Sequence, residues 1–146
     1  MKTAPAFHST SGKSFRIGII CAQFNPHITK KMLESAKRFA AQENLLVEKV
    51  LEVPGSFEIP FATQQLFENR AIQGVVCLGA IIKGSTAHDN VIGHAIAQSL
   101  LDLSLRYKKP LGFGVSGPGQ TEKQAQERAE EYARRAVLAL KQMLLE

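Results

Sequence analysis

The stretch VVCLGAIIKGSTAH, residues 75–88, determines the fold predicted for this chain. It begins with apolar and β-branched residues, typical of a strand covered on both faces, and ends in a Gly-Ser-Thr turn that leads to His88. A helix is predicted over residues 89–107, so Ser85, Thr86 and His88 would lie near its N-terminus, where free N–H groups and the helix dipole favour an anion. An ordinary strand-to-helix connection, capped by Ser or Thr with His88 at the surface, explains the same residues equally well. Apolar residues at helical spacing support the helix: Val91, Ala95, Leu101 and Leu105.

The size and composition of the chain predict one globular domain. Its 146 residues are 45% hydrophobic and 21% charged, and no apolar run is long enough to cross a bilayer. The first residues contain no apolar block of signal-peptide length, which favours a cytoplasmic protein. We expect residues 1–14 to form a flexible N-terminal arm and residues 15–146 to form the domain.

Cysteines, histidines and charges argue against several kinds of site. Cys21 and Cys77 lie in apolar runs and form no CxxC pair, so neither a zinc site nor a redox pair is indicated. The histidines form no HxxxH or HExxH pair, which argues against a metal centre. The net charge of +5 is spread over several predicted helices without interleaved aromatic residues, and it fits a phosphorylated small molecule as well as a nucleic acid.

Strands and helices alternate along the whole chain. Further strands are predicted over residues 15–21, 46–53 and 111–115, and further helices over residues 26–43, 59–69 and after a cap at Thr121. This βαβαβαβα order predicts a parallel four-stranded sheet with helices on both faces. Ligands of such sheets bind beyond the carboxyl ends of the strands, where the strand order reverses.

Four loops should meet at that edge of the sheet: AQFN at 22–25, PGSFE at 54–58, IKGSTAH at 82–88 and VSGPGQT at 115–121. Phe24 offers an aromatic face, and His88 can move protons near neutral pH. Ser56 and Glu58 have an alternative role in the following helix, as N-cap and first-turn carboxylate. The VSGPGQT segment is predicted to be a Gly- and Pro-rich turn. The loops together suit a flat heterocycle and a phosphorylated carbon skeleton.

The segment GFGVSG, residues 112–117, matches the dinucleotide-binding pattern GxGxxG. Its first glycine lies inside the last predicted strand, and no later strand supplies an acidic ligand for a ribose, so we discount it. No Ser-His-Asp or Cys-His arrangement is indicated by the sequence.

Four segments carry a resemblance to a known family: QFN at 23–25, PGSFEIP at 54–60, LGAIIKGSTAHD at 78–89 and GFGVSGPGQTEKQAQER at 112–128. With these segments, the chain resembles the 6,7-dimethyl-8-ribityllumazine synthase family from Phe15 to Met143, and SGPGQT with QAQER looks most like its archaeal-type branch. The loop reads GST where GET is common in the family, so Ser85 replaces a Glu. His88 is followed by Asp89 without the aromatic residue frequent in bacterial members.

The resemblance implies a flavodoxin-like three-layer α/β/α sandwich and a transferase of riboflavin biosynthesis. The reaction would condense 5-amino-6-(D-ribitylamino)uracil with 3,4-dihydroxy-2-butanone 4-phosphate to 6,7-dimethyl-8-ribityllumazine, the penultimate step of that pathway. Phosphate and water would leave, and no metal or organic cofactor would be needed. A non-catalytic flavin- or lumazine-binding oligomeric shell is the alternative.

The resemblance also implies roles for individual residues. His88 would be the catalytic proton shuttle, and Phe24 would stack on the pyrimidine. Phosphate would be bound by Ser85, Thr86 and Arg128, with Arg134 or Arg135 as alternatives to Arg128. The other substrate-binding residues would be Ser56, Phe57, Glu58, Ala80, Ile81, Ile82 and Phe113.

The family places its site between subunits, so Phe113 and Arg128 would come from an adjacent chain. The resemblance therefore implies a homo-oligomer, which would be a pentamer, a decamer or a sixty-subunit shell. Residues 1–14 would add a strand to a neighbour's sheet. Riboflavin synthase is a further candidate partner, whereas neither nucleic acid nor a membrane is expected.

Overall fold

A parallel four-stranded sheet forms the centre of the computed structural model, which describes residues 12–84 and 86–146. Most of the expected N-terminal arm and the predicted phosphate ligand Ser85 lie outside the described residues. The strands, in the spatial order β2-β1-β3-β4, are β1 (Phe15–Ala22), β2 (Leu45–Val53), β3 (Gly74–Ile82) and β4 (Leu111–Gln120). The helices are α1 (Pro26–Gln42), α2 (Ile59–Phe67), α3 (His88–Tyr107) and α4 (Glu122–Leu144). Within the described ranges, no helix combines the length and apolarity that crossing a bilayer requires.

The central strand β3 is buried on both faces, as its apolar sequence predicts. Val76 and Leu78 pack against α1 and α4, whereas Val75 and Cys77 pack against α2 and α3. Alternate residues of a strand point to opposite faces, so a continuous apolar run suits a strand with helices on both sides. The three-layer α/β/α, flavodoxin-like fold is therefore confirmed.

The sheet has its topological switch point between β1 and β3. From β1 the chain passes to β2 on one side, and the two later strands, β3 and β4, are added on the other side. The loops after β1 and β3 consequently diverge towards opposite faces of the sheet and leave a crevice between them.

Helix α3 is confirmed, but its predicted apolar residues face outward. Val91, Leu101 and Leu105 are 65%, 61% and 77% exposed, whereas Ile96 and Leu100 are buried against the sheet. The helix carries apolar residues on two faces, and the spacing of one set does not reveal which face contacts the sheet. An exposed apolar strip on this helix is the result.

Strand β4 runs five residues beyond its predicted end, so the prediction of a turn over SGPGQT was wrong. The strand stays paired with β3 through a register shift, with Ala80 opposite Ser116 and Ile82 opposite Gln120. Gly117 has φ +95°, and a Cβ at this position would lie 2.2 Å from the carbonyl oxygen of Ile81. Glycine thus lets an irregular strand remain in contact with β3, which local turn propensity does not predict.

Candidate functional site

A cleft of about 560 Å³ lies at the switch point, beyond the carboxyl ends of β1 and β3. Loops from β1, β2 and β3 and the first turns of α3 surround it. The structure therefore brings three of the four predicted loops together at one site. The predicted residues that line it are Phe24, Ser56, Phe57, Ala80, Ile81, Ile82, Thr86 and His88.

Two phenyl rings flank the cleft on loops that are joined to each other. Phe24 is 72% exposed and Phe57 is 65% exposed, so both present apolar surface to solvent. Phe24 N donates to the Pro54 carbonyl oxygen at 3.0 Å, and Gln23 N donates to the Val53 carbonyl oxygen at 2.7 Å. These backbone bonds fix the distance between the two loops. The exposed rings can cover a flat heterocycle.

Asn25 lines the cleft, although no functional role was predicted for it. Its φ is +62°, and its Nδ2 donates to the Ala80 carbonyl oxygen at 3.0 Å. This bond ties the Phe24 loop to the end of β3. Asparagine adopts left-handed backbone angles more readily than most residues. An Asn directly before the Pro that begins a helix could therefore have indicated a left-handed residue at this position in the sequence. Other cleft residues that were not predicted as ligands include Gly55, Lys83, Gly84, Asp89 and Ile92.

Two carbonyl groups at the end of β3 already accept hydrogen bonds within the chain. Ala80 accepts from Asn25, and Ile81 accepts from Gln120 Nε2 at 3.3 Å. The role of this backbone in uracil binding stays a prediction.

His88 begins α3 at the rim of the cleft. Its backbone N–H donates to Thr86 Oγ1 at 3.3 Å, and the N-cap residue Ala87 provides no capping side chain. The Thr86 hydroxyl accepts this bond and keeps its own hydrogen for donation. The His88 side chain is exposed and has no hydrogen bond to the described residues. An exposed imidazole, a free hydroxyl donor and a helix N-terminus therefore lie together.

Glu58 adopts the structural role that the sequence allowed. Its Oε1 accepts a hydrogen bond from Gly55 N at 2.9 Å, across the 3₁₀ turn Ser56–Glu58 that precedes α2. Ser56 is the first residue of that turn and lines the cleft, so its prediction as a helix N-cap was wrong. Glu58 does not line the cleft, and its substrate-binding role stays a prediction.

Comparison with known proteins identifies the family. The sequence model of 6,7-dimethyl-8-ribityllumazine synthase matches residues 14–146. This chain belongs to that family. Its similar relatives include the 6,7-dimethyl-8-ribityllumazine synthase of Staphylothermus marinus, 47% identical over 129 residues, 88% of this chain and 86% of the relative. The synthase of Metallosphaera sedula is 49% identical over 124 residues, 85% of this chain and 82% of the relative. The predicted resemblance to archaeal members of the lumazine synthase family is confirmed.

Besides Glu58, two further residues that the lumazine synthase family led us to expect lie outside the cleft of their own chain. Phe113, on β4, lines a separate apolar depression of about 310 Å³ that also includes Leu101 of α3. Arg128 lies on the second turn of α4 and has no ion pair or hydrogen bond within residues 12–84 and 86–146. Neither residue is brought to His88 within a single chain.

The competing arginines are already paired. Arg134 Nη2 donates to Glu131 Oε2 at 3.0 Å, and Arg135 Nε lies 3.5 Å from the same carboxylate. The hydrogen bond from Arg134 lowers the pKa of Glu131. A guanidinium that binds a carboxylate is less available to a phosphate, so Arg128 is the least engaged of the three.

The cysteines behave as the sequence predicts, as buried thiols. Burial raises the pKa of Cys77 to about 12 and that of Cys21 to about 11. The reactive thiolate form is therefore disfavoured at neutral pH in both residues. Neither cysteine lines the cleft.

Proposed function

We propose that the cleft condenses 5-amino-6-(D-ribitylamino)uracil with 3,4-dihydroxy-2-butanone 4-phosphate, and that His88 moves the protons. As a member of the lumazine synthase family, the protein is a transferase of riboflavin biosynthesis. The observation that carries the proposal is the meeting of Phe24, Phe57, Thr86 and His88 around one crevice. No observation favours the non-catalytic shell.

The pyrimidine would bind at the aromatic side of the cleft. Phe24 and Phe57 would cover its ring faces, and the backbone of residues 80–82 would bind the uracil edge. Ser56 and Glu58 would bind the ribityl chain, Glu58 through the carboxylate oxygen that does not accept from Gly55. A ring held in this way presents its 5-amino group to the second substrate.

The phosphorylated ketone would bind at the N-terminus of α3. Ser85 and Thr86 would donate to the phosphate through N–H and hydroxyl groups, and the exposed cation Lys83 lies on the same loop. The partner subunit's Arg128 would add a planar guanidinium, which matches the oxygens of a phosphate. Arg128 has no ion pair or hydrogen bond with the described residues of its own chain, which supports this role.

His88 would act at both proton-transfer steps. The amino nitrogen attacks the ketone carbon, and His88 donates a proton to the departing hydroxyl group as water leaves and the imine forms. His88 then accepts a proton from the carbon beside the imine, and phosphate leaves with the electron pair of the broken C–O bond, which gives an enol. The enol becomes a ketone, and the ribitylamino nitrogen closes the second ring on that carbon with loss of a second water. An imidazole can donate and accept protons near pH 7, so one residue can serve both steps.

The active site is proposed to be complete only in a homo-oligomer. Three observations support this: the outward-facing apolar residues of α3, the 43% exposure of Phe113 on β4, and the lack of a partner for Arg128 among the described residues of its own chain. The partner subunit's Phe113 would close the ring pocket.

The assembly size is proposed from the family as a pentamer, a decamer or a sixty-subunit shell, with residues 1–14 as an arm joined to a neighbour. We also propose a cytoplasmic location and riboflavin synthase as a further partner.

The direct test is to incubate the protein with both substrates and to follow lumazine fluorescence. We expect product without added metal or organic cofactor. Absence of product, under conditions in which a characterised synthase forms it, would refute the proposal. A non-catalytic shell would instead bind lumazine without turnover, and its weak binding of inorganic phosphate would be unaffected by Arg128→Ala.

Mixed oligomers test whether the site is shared. His88→Ala and Arg128→Ala variants should each be nearly inactive alone. When they are unfolded and reassembled together at equal concentration, about a quarter of the interfaces should combine an intact His88 with an intact Arg128 of the partner subunit. Recovery of activity towards that level supports a shared site. Recovery no greater than the sum of the separate variants would place both residues in one chain's site.

A further inference from the structure

The last four residues of β4 lie between the end of β3 and the first turns of α3. A Cβ at Gly117 would lie 2.2 Å from the Ile81 carbonyl oxygen, and a Cβ at Gly93 of α3 would lie 2.7 Å from Pro118 Cδ. Glycine at position 117 therefore permits close backbone packing against β3, and glycine at position 93 leaves room for the Pro118 ring against α3. We name residues 117–120 the brace segment. This segment contacts β3 and α3, the two elements that the loop of residues 83–88 connects.

The brace segment holds one end of this loop through Gln120. The Gln120 carbonyl oxygen accepts from Lys83 N at 2.7 Å. The Gln120 side chain is buried, and its Nε2 donates to the Ser116 hydroxyl at 2.8 Å and to the Ile81 carbonyl oxygen at 3.3 Å. The loop therefore leaves β3 at a fixed point.

Asp89 holds the other end. Its Oδ2 accepts from Gly119 N at 3.0 Å, and its residue exposure is only 8%, the lowest of any Asp or Glu in the described parts of the chain. A buried carboxylate is costly unless it is hydrogen-bonded, so this bond constrains the first turn of α3. Asp89 directly follows His88 in the chain, and Thr86 lies two residues before His88. All three residues line the cleft.

We propose that Asp89 is a positioning residue, which fixes the loop that binds the phosphorylated substrate by anchoring the first turn of α3 to the brace segment. This inference rests on the proposed function. Asp89 acts through the backbone, because its carboxylate is bonded to Gly119. Loss of the Asp89 carboxylate would displace Thr86 and the N-terminus of α3 relative to the aromatic side of the cleft. That side is held independently, by the bond from Asn25 to Ala80 and by the backbone bonds to Val53 and Pro54.

The test is a steady-state comparison of Asp89→Ala with the wild-type protein for each substrate separately. We expect kcat/KM for the phosphorylated ketone to fall about 10- to 100-fold, as a lost charge-assisted hydrogen bond and a misplaced loop predict, with a higher KM. KM for the pyrimidine should not change. Asp89→Asn retains an acceptor for Gly119 N and should recover most of the loss. Glu48→Ala is the control. It removes an exposed carboxylate of β2, which accepts a hydrogen bond from Arg16 at 3.1 Å, and this variant should behave as wild type.

Equal changes in both KM values, no change in either, or no recovery in Asp89→Asn would overturn the inference. If Asp89→Ala does not fold, Asp89→Ser replaces it, because a small polar side chain suits the first turn of a helix. Failure of all three variants to fold would assign Asp89 to stability alone and would also overturn it. Amide hydrogen exchange of residues 83–88 should be faster in the folded variant. This readout needs no turnover, so it tests the inference even if the wild-type protein forms no product and the proposed function fails.

Discussion

Helices α3 and α4 follow the neighbouring strands β3 and β4, yet they differ in how they begin and in how they pack. Thr121 Oγ1 accepts from Gln124 N at 3.2 Å and Gln124 Oε1 accepts from Thr121 N at 2.9 Å, so the predicted cap of α4 is confirmed as a reciprocal capping box. The buried residues of α4, among them Ala129, Val137 and Leu140, pack in one core cluster with residues of β1 and β3. Helix α3 has no capping hydrogen bond from the side chain of its N-cap residue, Ala87, and it exposes apolar residues along its length. Helix α4 is therefore capped and packed within its own chain, whereas α3 keeps an uncapped N-terminus at the cleft and an exposed apolar face, where we propose that a ligand and a neighbouring subunit bind.

Removing the imidazole at the start of α3 should have the largest effect. We expect His88→Ala to reduce kcat about 100- to 10,000-fold, the contribution typical of a general acid or base. Lumazine fluorescence measures the rate. His27→Ala is the matched control, because His27 is also exposed in the first turn of a helix but pairs with Glu122 outside the cleft. An unchanged rate in the His88→Ala variant would contradict the proposed catalytic role of His88.

A charge on the exposed face of α3 should have the next largest effect. We expect Leu101→Asp to weaken subunit association by about 2 kcal/mol or more, the scale of an interface hot spot, with a parallel loss of specific activity. Sedimentation velocity measures the assembly size. Met143→Asp on α4 is the control, because Met143 is also exposed, at 58%. If Leu101→Asp assembles and works as wild type does, the α3 face is not an interface.

Among the arginines of α4, only Arg128 should matter directly for phosphate. Arg128→Ala is expected to raise KM for the phosphorylated ketone about 10- to 100-fold, because a charge-assisted hydrogen bond is lost. Arg134→Ala should have a much smaller effect, since its guanidinium is bonded to Glu131. Steady-state kinetics with the pyrimidine saturating measures both. A larger increase in KM for Arg134→Ala than for Arg128→Ala would assign the phosphate-binding role to Arg134.

The smallest predicted effect compares the two threonines. Thr121→Ala should lower the free energy of unfolding by about 1 kcal/mol, the usual value of an N-cap, without changing kcat/KM. Thr86→Ala removes a similar acceptor, 3.3 Å from His88 N, but should reduce kcat/KM because its hydroxyl is proposed to bind phosphate. Chemical denaturation and kinetics separate the two outcomes. A Thr121→Ala variant with lower activity and unchanged stability would contradict the comparison.

The cleft was largely predictable because its residues lie in short loops directly after strands. Once alternation fixed a parallel sheet, Phe24, Ser56, Thr86 and His88 had to lie at one edge. Asn25 and Asp89 were harder to recognise, because their partners Ala80 and Gly119 are 55 and 30 residues away in the chain. The first glycine of GFGVSG has a structural reason of its own, because a Cβ at Gly112 would lie 2.2 Å from the Ala136 carbonyl oxygen of α4.

The sequence by itself determined the order of strands and helices, the burial of β3 and the edge of the sheet that forms the site. These follow from apolar periodicity and from turn residues, which act over a few neighbouring positions. Only the tertiary structure decided which face of α3 meets the sheet, how far β4 continues, and which of Arg128, Arg134 and Arg135 is left unpaired. Those outcomes depend on contacts between distant segments, and a local pattern carries no information about the distance that separates them in space.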